Sequence, residues 1–367
     1  MTFPVESNRE HSAGVMAAEK LKIGWIGVGF IGQVAHLANY AEMPEVQIVA
    51  LAELRSELGQ RVCRRYEIPH YYTDHSALLE NADVEAVVAV VRRCHNGPVA
   101  LDVLNSGRHV FTEKPMAATL DQAERLVSAA TARNVRHAVG FMRRHDEGVQ
   151  IGKRILDELR ATQELGPILL ARFFCWSGND YCNISGLIRT PEARPEHLIW
   201  PIAPEWLSQR LHSDYDHFIN TYIHDLNLIR FLMGGRPEIR HVEYRSTKCG
   251  VILFDFADFP GIFEFGTTNQ NSWDEGVEIH FARGRLRIDL PPALLRNCPA
   301  RVELYRDKGK TPGEIVVQKP DWTWSFRRQA QAFVQDVRSG HQPVASGTDS
   351  IEDMRFLEEI WKRIQDS

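Results

Sequence analysis

The chain has 367 residues, which is too long for one ordinary hydrophobic core and predicts about two domains. Hydrophobic residues make up 44% and charged residues 25% of it, and this composition excludes fibrous and largely disordered proteins. Asp and Glu number 48 against 43 Lys and Arg, so the formal net charge is -5. Because proteins that neutralise nucleic-acid phosphates carry a basic excess, we expect no nucleic-acid partner.

Residues 1–20 are mixed polar, with neither an apolar segment nor paired arginines, and predict a flexible N-terminal extension without an export signal. The cysteines are scattered without a Cys-x-x-Cys pair, which indicates free thiols in a reducing compartment. No apolar run approaches the ~18 residues that a transmembrane helix needs. We therefore expect a cytoplasmic protein with no membrane partner.

From residue 21 to 139, short apolar runs alternate with segments of helical periodicity. Strands are predicted at 21–26, 46–52, 84–91, 109–112 and 135–139, and helices at 30–43, 53–66, 98–106 and 119–133. This alternation is typical of a doubly wound parallel sheet, so we predict an α/β domain over residues 21–145.

The pattern changes after the fifth predicted strand. Period-two alternation, as in 261–266 and 277–281, predicts a large, mostly antiparallel open sheet in an α+β domain over residues 146–367. Helices are expected at 218–234, 326–338 and 350–364. Residues 176–216 are rich in Trp, Pro, His and Tyr without clear periodicity, and a loop of that length in a compact domain is usually functional or disordered.

A glycine loop follows the first predicted strand and begins a helix, in the string Gly27-Val28-Gly29-Phe30-Ile31-Gly32. The first glycine permits a tight turn, the second lets a pyrophosphate approach the backbone, and the third lets helix and strand pack closely. Phe30 and Ile31 stand at the helix start, whose unpaired N–H groups attract phosphate. The loop therefore predicts a dinucleotide-binding Rossmann domain.

Glu53 ends the second predicted strand, about 20 residues beyond the last glycine, where an acid accepts hydrogen bonds from ribose hydroxyls. A carboxylate there repels a 2′-phosphate, so we expect NAD as cofactor. Arg55, two residues later, leaves NADP open.

Glu113-Lys114-Pro115 directly follows the predicted strand 109–112. Ligands of open parallel sheets sit beyond the carboxyl ends of the strands, so Lys114 is expected at the cofactor cleft. Its ammonium could hydrogen-bond a substrate oxygen and stabilise the negative charge that develops there. A solvated surface lysine is the alternative interpretation.

The predicted helix 218–234 carries Asn220 and His224 on one stripe beside an apolar face. A histidine has an ordinary pKa near 6.5 and can accept a hydroxyl proton at neutral pH. Taken alone, a histidine on a core helix is more often structural, and its pairing with Lys114 is what favours a catalytic role.

Together these motifs resemble the Gfo/Idh/MocA oxidoreductases, the relatives of glucose–fructose oxidoreductase and inositol dehydrogenase. The resemblance covers nearly the whole chain from residue 21 and also rests on His95, on the string 140–144 and on 224–232. It implies a nucleotide domain followed by an α+β domain whose open sheet often mediates oligomer contacts, so we expect a dimer or tetramer. It also implies oxidation of a sugar or cyclitol hydroxyl, with Lys114 and His224 as the catalytic pair and His95 and Glu113 at the cofactor.

The chain departs from the family pattern at one point. The usual helix carries Asp-x-Gly-x-His, whereas here Asn220 and Tyr222 occupy the Asp and Gly positions. Asn220 can hydrogen-bond a hydroxyl but supplies no charge. Either His224 suffices, or another acid such as Asp216 or Asp225 takes part, or the chemistry differs.

Further candidates for substrate binding are Arg144, which flanks a cleft loop, and aromatic residues that could stack on sugar rings. The aromatic candidates are Trp176, Tyr181 and Trp273. The alternative is that these rings are core or subunit contacts. The histidines form no metal-binding pattern, so we expect no metal.

Two functions from other classes stay open at this point. Relatives with the same fold use tightly bound NAD to oxidise a sugar transiently, which gives net glycoside cleavage or epimerisation. A non-catalytic NAD-binding regulatory protein is the other alternative, and Asn220 is compatible with both.

Overall fold

The computed structural model describes residues 19–194, 200–245 and 248–366. Most of the predicted extension at 1–20 lies outside them. These residues form two sheets, one of six and one of eight strands, with helices packed around both. No helix in this part of the chain is both long and apolar enough to cross a bilayer.

The first sheet is entirely parallel, with the strand order β3-β2-β1-β4-β5-β6. Chain order reverses on either side of β1, which creates a crevice at the carboxyl ends of β1 and β4. This is the predicted doubly wound sheet. Its strands are β1 (Leu21–Ile26), β2 (Val46–Ala52), β3 (His70–Tyr72), β4 (Ala86–Ala89), β5 (His109–Glu113) and β6 (His137–Gly140).

Helices connect these strands on both faces of the sheet. Two of them start at side-chain caps, where Asp74 accepts from the N–H of Ala77 and Thr119 from that of Gln122. A π-helical turn, Gly32–Leu37, precedes α1. The helices are α1 (Ala38–Ala41), α2 (Ser56–Tyr66), α3 (His75–Asn81), α4 (Arg93–Asn105) and α5 (Leu120–Arg133).

The second sheet has the order β14-β13-β12-β11-β7-β10-β9-β8 and is antiparallel except for the pair β7–β10. This confirms the predicted mostly antiparallel open sheet. Its strands are β7 (Ile168–Ser177), β8 (Glu238–Arg245), β9 (Cys249–Asp255), β10 (Pro260–Thr267), β11 (Asp274–Phe281), β12 (Gly284–Leu290), β13 (Arg301–Lys308) and β14 (Thr311–Val317).

The helices of this half pack on one side of the sheet and against the first half. They are α6 (Glu147–Thr162), α7 (His212–Thr221), α8 (Ile223–Met233), α9 (Ser325–Ser339) and α10 (Gly347–Asp366). The chain returns to the first sheet near its end, because Phe333 and Val334 of α9 share a hydrophobic core with Trp25 of β1. The predicted division at residues 145 and 146 stays a prediction.

The prediction of one helix over 218–234 is wrong, because the helix is interrupted at Tyr222, between α7 and α8. The Tyr222 ring packs edge-on against Phe218 and tilted against Phe265, and its hydroxyl lies 3.1 Å from Thr267 Oγ1. The apolar spacing continues through the break, so periodicity alone could not reveal it. The helix predicted at 98–106 begins earlier, at Arg93, and contains Pro98.

Candidate active site

A cavity of about 430 Å³ lies at the carboxyl ends of the first sheet's strands. Its wall contains most of the residues predicted to bind the cofactor: Gly27, Gly29, Phe30, Ile31, Gly32, Glu53, Arg55 and His95. Thr73, Asp74, His75 and Arg194 line it as well, and sequence reasoning missed them. The first three follow β3, a strand too short for its pattern to be recognised.

The glycine loop has the shape that a bound pyrophosphate requires. Gly27 has a φ of +85°, and a Cβ there would lie 2.5 Å from the Val90 carbonyl oxygen. A Cβ on Gly32 would lie 2.8 Å from the Gly27 carbonyl oxygen. At Gly29 a Cβ would meet nothing within 4 Å, so this position faces open space. The loop therefore fits a dinucleotide, with Gly29 as the point of closest approach.

Glu53 lines the cavity and is almost fully buried. Its Oε1 accepts from Arg55 Nε at 2.8 Å, and its Oε2 accepts from the Val28 N–H at 3.0 Å and from Arg55 Nη2 at 3.1 Å. The guanidinium of Arg55 is thus held by the acid that the sequence places beside it.

His95 and Glu113 differ from the predictions in their local setting. His95 lies in the first turn of α4 rather than in a loop, because the helix begins at Arg93. The Glu113 carboxylate lies 2.6 Å from the buried His36 Nε2 and accepts from its neighbouring N–H. Its role at the cofactor stays a prediction.

Lys114 follows β5 and reaches toward the second half of the chain. Its Nζ donates to the main-chain carbonyl of Asn220 at 2.5 Å, and the bond to Pro115 is cis. Burial lowers the pKa of Lys114 to about 8, an effect that Glu113 opposes and Arg93 strengthens. At neutral pH the amine is therefore charged, but it loses its proton far more easily than an ordinary lysine.

His224 lies in the first turn of α8, half-buried and edge-on to the ring of Phe141. Burial lowers its pKa well below the ordinary value, and the charges of Lys114 and Arg143 add to this effect. The imidazole is therefore neutral at pH 7, and the same surroundings make it a weaker base than an ordinary histidine. Its Nδ1 is buried, with no hydrogen-bond partner among the described residues.

Asn220 lies at the end of α7, next to the guanidinium of Arg93. Arg93 Nη1 donates to Asn220 Oδ1 at 2.8 Å, and Arg93 also forms two hydrogen bonds with Asp216, at 2.6 and 2.9 Å. Asp216, one of the acids considered as a substitute for the missing aspartate, is thus paired with a guanidinium. Arg93 and Asp216 are 123 positions apart, so no local pattern could have found the contact.

Asp225, the other acid considered, is buried beside Cys175 and Glu275. Burial raises its pKa well above the ordinary value, and Glu275 adds to the rise while Arg143 opposes it. Glu275 forms a buried ion pair with Arg143 and accepts from Trp273 Nε1 at 2.7 Å. The charge of Arg143 also helps to lower the pKa of His224.

The other predicted substrate contacts are not brought together. Arg144 is buried, donating to Asn227 Oδ1 at 2.7 Å and forming an ion pair with Asp349 at 2.8 Å, so its guanidinium is paired with α8 and α10. Trp176 lies in β7, half-buried against Gly266, and Tyr181 is 44% exposed. The described residues contain no cluster of His, Cys, Asp or Glu able to hold a metal.

Comparison with known proteins agrees with this geometry. Residues 21–141 match the family model described as the oxidoreductase family, NAD-binding Rossmann fold (GFO_IDH_MocA). Over these residues the chain is similar to the Gfo/Idh/MocA oxidoreductases. This confirms the family resemblance and the NAD-binding Rossmann fold expected from the glycine loop.

Curated relatives of this chain include inositol 2-dehydrogenases. It is 33% identical to the one from Salmonella typhimurium over 201 residues, which are 53% of this chain and 56% of the relative. It is 25% identical to the one from Burkholderia cenocepacia over 335 residues, 87% of each chain. The chain thus matches just over half the length of the Salmonella relative.

The fold extends over nearly the whole chain of a solved structure. A 3-ketoreductase from Actinomadura kijaniata, crystallised with NADP and TDP-benzene, superposes with a TM-score of 0.72 at 19% identity. The match covers 94% of this chain and 98% of that one. At this identity the likeness shows the fold alone.

Proposed function

We propose that the chain is an NAD-dependent oxidoreductase acting on a secondary hydroxyl of a sugar, glycoside or cyclitol. The family match and the inositol 2-dehydrogenase relatives support this class. Bound at the glycine loop, with Glu53 at the ribose, the nicotinamide cofactor would accept or give a hydride. The remaining steps are assigned to the chain's own residues.

Lys114 would hold the reacting oxygen. Its ammonium points across the cleft and, with a pKa of about 8, is charged at neutral pH. It would donate a hydrogen bond to the hydroxyl oxygen and stabilise the negative charge that develops there. Because its pKa is lowered, it is also a better proton donor than an ordinary lysine when a carbonyl is reduced.

His224 would move the hydroxyl proton. Burial and two nearby cations keep the imidazole neutral at pH 7, so it has a lone pair available. A base with a low pKa returns its proton readily in the reverse direction. Asn220 would contribute through its main-chain carbonyl, which holds Lys114, while its side chain is engaged by Arg93.

The observation that carries the proposal is the hydrogen bond from Lys114 Nζ to Asn220. It joins the carboxyl end of β5, in the nucleotide half, to the junction of α7 and α8. His224 lies in the first turn of α8. Lys114 is half-buried at this junction and its pKa is lowered, which a solvated surface lysine would not show.

The test is a substrate screen with purified protein and NAD, following absorbance of the reduced nicotinamide over inositols, free sugars and glycosides. We expect turnover with at least one member and its loss in Lys114→Ala and His224→Ala. The proposal is contradicted if the wild-type protein turns over no compound and both variants bind the cofactor as the wild type does. Substrate conversion without net reduced cofactor would instead favour transient oxidation. The expected homo-oligomer stays a prediction that light scattering can test.

A further inference from the structure

Residues 184–194, here called the strap, leave the second half of the chain and lie across the nucleotide half. Gln33, in the π-helical turn after the glycine loop, forms a reciprocal amide pair with Ile188: its Nε2 donates to the carbonyl at 3.2 Å and its Oε1 accepts from the N–H at 3.0 Å. Arg65 of α2 donates to the Gly186 carbonyl at 2.6 Å. The strap therefore contacts both the π-helical turn and α2.

Near its end, the strap places a carboxylate at the N-terminus of α2. Glu192 Oε1 accepts from the Glu57 N–H and its Oε2 from the Leu58 N–H, each at 2.9 Å. Thr190 Oγ1 donates to the same carboxylate at 2.9 Å. Arg55, at the N-cap, supplies no capping side chain, so Glu192 is the group that satisfies these N–H donors.

The N-cap of α2, Arg55, lines the cavity directly after Glu53, on the side where an adenosine 2′-phosphate would be recognised. Glu53 stands at the position that contacts the ribose 2′-hydroxyl in this fold, and a phosphate on that hydroxyl would extend toward residues 55–58. Such a phosphate needs a cation and free N–H groups. Arg55 is held by Glu53, and the N–H groups are held by Glu192.

The charges at this end of the cavity also oppose a phosphate. Glu53 forms an ion pair with Arg55, and the charge of the same guanidinium also acts on Glu192, so two carboxylates stand near one cation. Although burial disfavours the charged form, the two N–H donors, Thr190 and Arg55 hold the pKa of Glu192 below its ordinary value. The carboxylate is therefore an anion across the range in which dehydrogenases work, and it repels a second anion.

We propose that Glu192 of the strap selects NAD over NADP by occupying the place of the 2′-phosphate at the N-terminus of α2. This rests on the proposed use of a nicotinamide dinucleotide. It assigns cofactor choice to a residue contributed by the second half of the chain, far from the motifs that mark the nucleotide domain.

The test compares dissociation constants of NAD and NADP, measured by titration calorimetry on the full-length protein without substrate. Glu192→Ala frees the two N–H donors and removes the charge, and we expect NADP to bind about tenfold more tightly while NAD changes little. Glu192→Gln keeps an acceptor but not the charge, so we expect a smaller gain. Arg65→Ala is the matched control, since it removes a strap contact without changing the N-terminus of α2.

The outcomes separate this inference from the proposed function. An NADP-to-NAD preference that Glu192→Ala and Glu192→Gln both leave unchanged, in proteins that still bind NAD, overturns the selectivity role and leaves the proposed function intact. An equal gain in Arg65→Ala also overturns it, because general loosening of the strap would then be the cause. Failure of the wild-type protein to bind either cofactor overturns both.

Discussion

The ammonium of Lys114 donates a 2.5 Å hydrogen bond to the main-chain carbonyl of Asn220, four positions before His224. One partner follows a strand of the parallel sheet, and the other ends a helix of the second half. The break between α7 and α8 makes this contact available, because the last carbonyls of a helix have no partner within it. The two proposed catalytic groups are thus positioned by a helix end.

Substitution of Lys114 should affect catalysis far more than cofactor binding. Lys114→Ala removes the proposed proton donor and oxyanion partner, so we expect kcat to fall by about 10²–10⁴ with a nearly unchanged Kd for NAD. Lys153→Ala, which removes a lysine paired with Asp157 on α6, is the control and should leave kcat unchanged. A Lys114→Ala enzyme with full kcat would contradict the role.

The pH dependence of kcat/KM should report the lowered pKa of Lys114. Activity should decline as the pH rises through about 8, because the ammonium form is lost there. Asn220→Asp adds a carboxylate next to Arg93 and close to Lys114, which raises the pKa of the amine. We therefore expect the alkaline limb of the profile to move to higher pH in this variant. A limb that stays in place would show that Lys114 does not set it.

Replacing two glycines of the nucleotide loop by alanine, one at a time, should separate effects on NAD binding from effects on thermal stability. Gly29→Ala adds a methyl group where nothing lies within 4 Å, so we expect a melting temperature close to wild type but much weaker NAD binding. Gly32→Ala places its Cβ 2.8 Å from a backbone oxygen, so we expect a lower melting temperature as well. Calorimetric titration and thermal unfolding of both variants make the comparison. Equal destabilisation by both would contradict it.

Buried His137 should make folding stability depend on acid. Its Nε2 lies 2.9 Å from Thr112 Oγ1, and burial lowers its pKa to about 4. Below pH 6.5 the unfolded chain therefore binds a proton at His137 that the folded chain does not bind. The free energy of unfolding consequently decreases as the pH falls toward 4.

Urea unfolding at about pH 7 and about pH 5 measures this effect, for which we expect a contribution of roughly 2 kcal/mol. His137→Gln retains a hydrogen-bonding group and should flatten the pH dependence by that amount. The exposed His341→Gln is the control and should not change the slope. An unaltered slope in His137→Gln would mean that other groups cause the acid sensitivity.

Much of the fold follows from local pattern. The Val- and Ala-rich run that contains β4, with its neighbouring strands, predicts the parallel sheet, and the glycine spacing predicts the position of the cavity. These features are readable because a buried parallel strand and a phosphate loop constrain residues that are adjacent in sequence. The break at Tyr222 was hidden because its apolar spacing is the same in one helix or two.

The candidate site was harder to predict from the sequence than the fold, for a different reason. Arg93 with Asp216, and Glu192 with α2, are contacts between residues more than one hundred positions apart. A single sequence carries no signal for such pairs, and a charged residue reads equally well as a solvated side chain. Arg144 illustrates the converse. The sequence suggested that its guanidinium binds substrate, but in the structure it is paired with Asp349 and Asn227.

The resting partner of Lys114 has a consequence for how binding energy is used. A substrate hydroxyl that reaches the amine replaces one neutral acceptor, the Asn220 carbonyl, by another, so the exchange adds little to ground-state affinity. An oxygen that has gained negative charge is a much stronger acceptor and shifts the exchange decisively. In the proposed role, the amine would therefore discriminate between the two states of the same oxygen, lowering the barrier rather than KM.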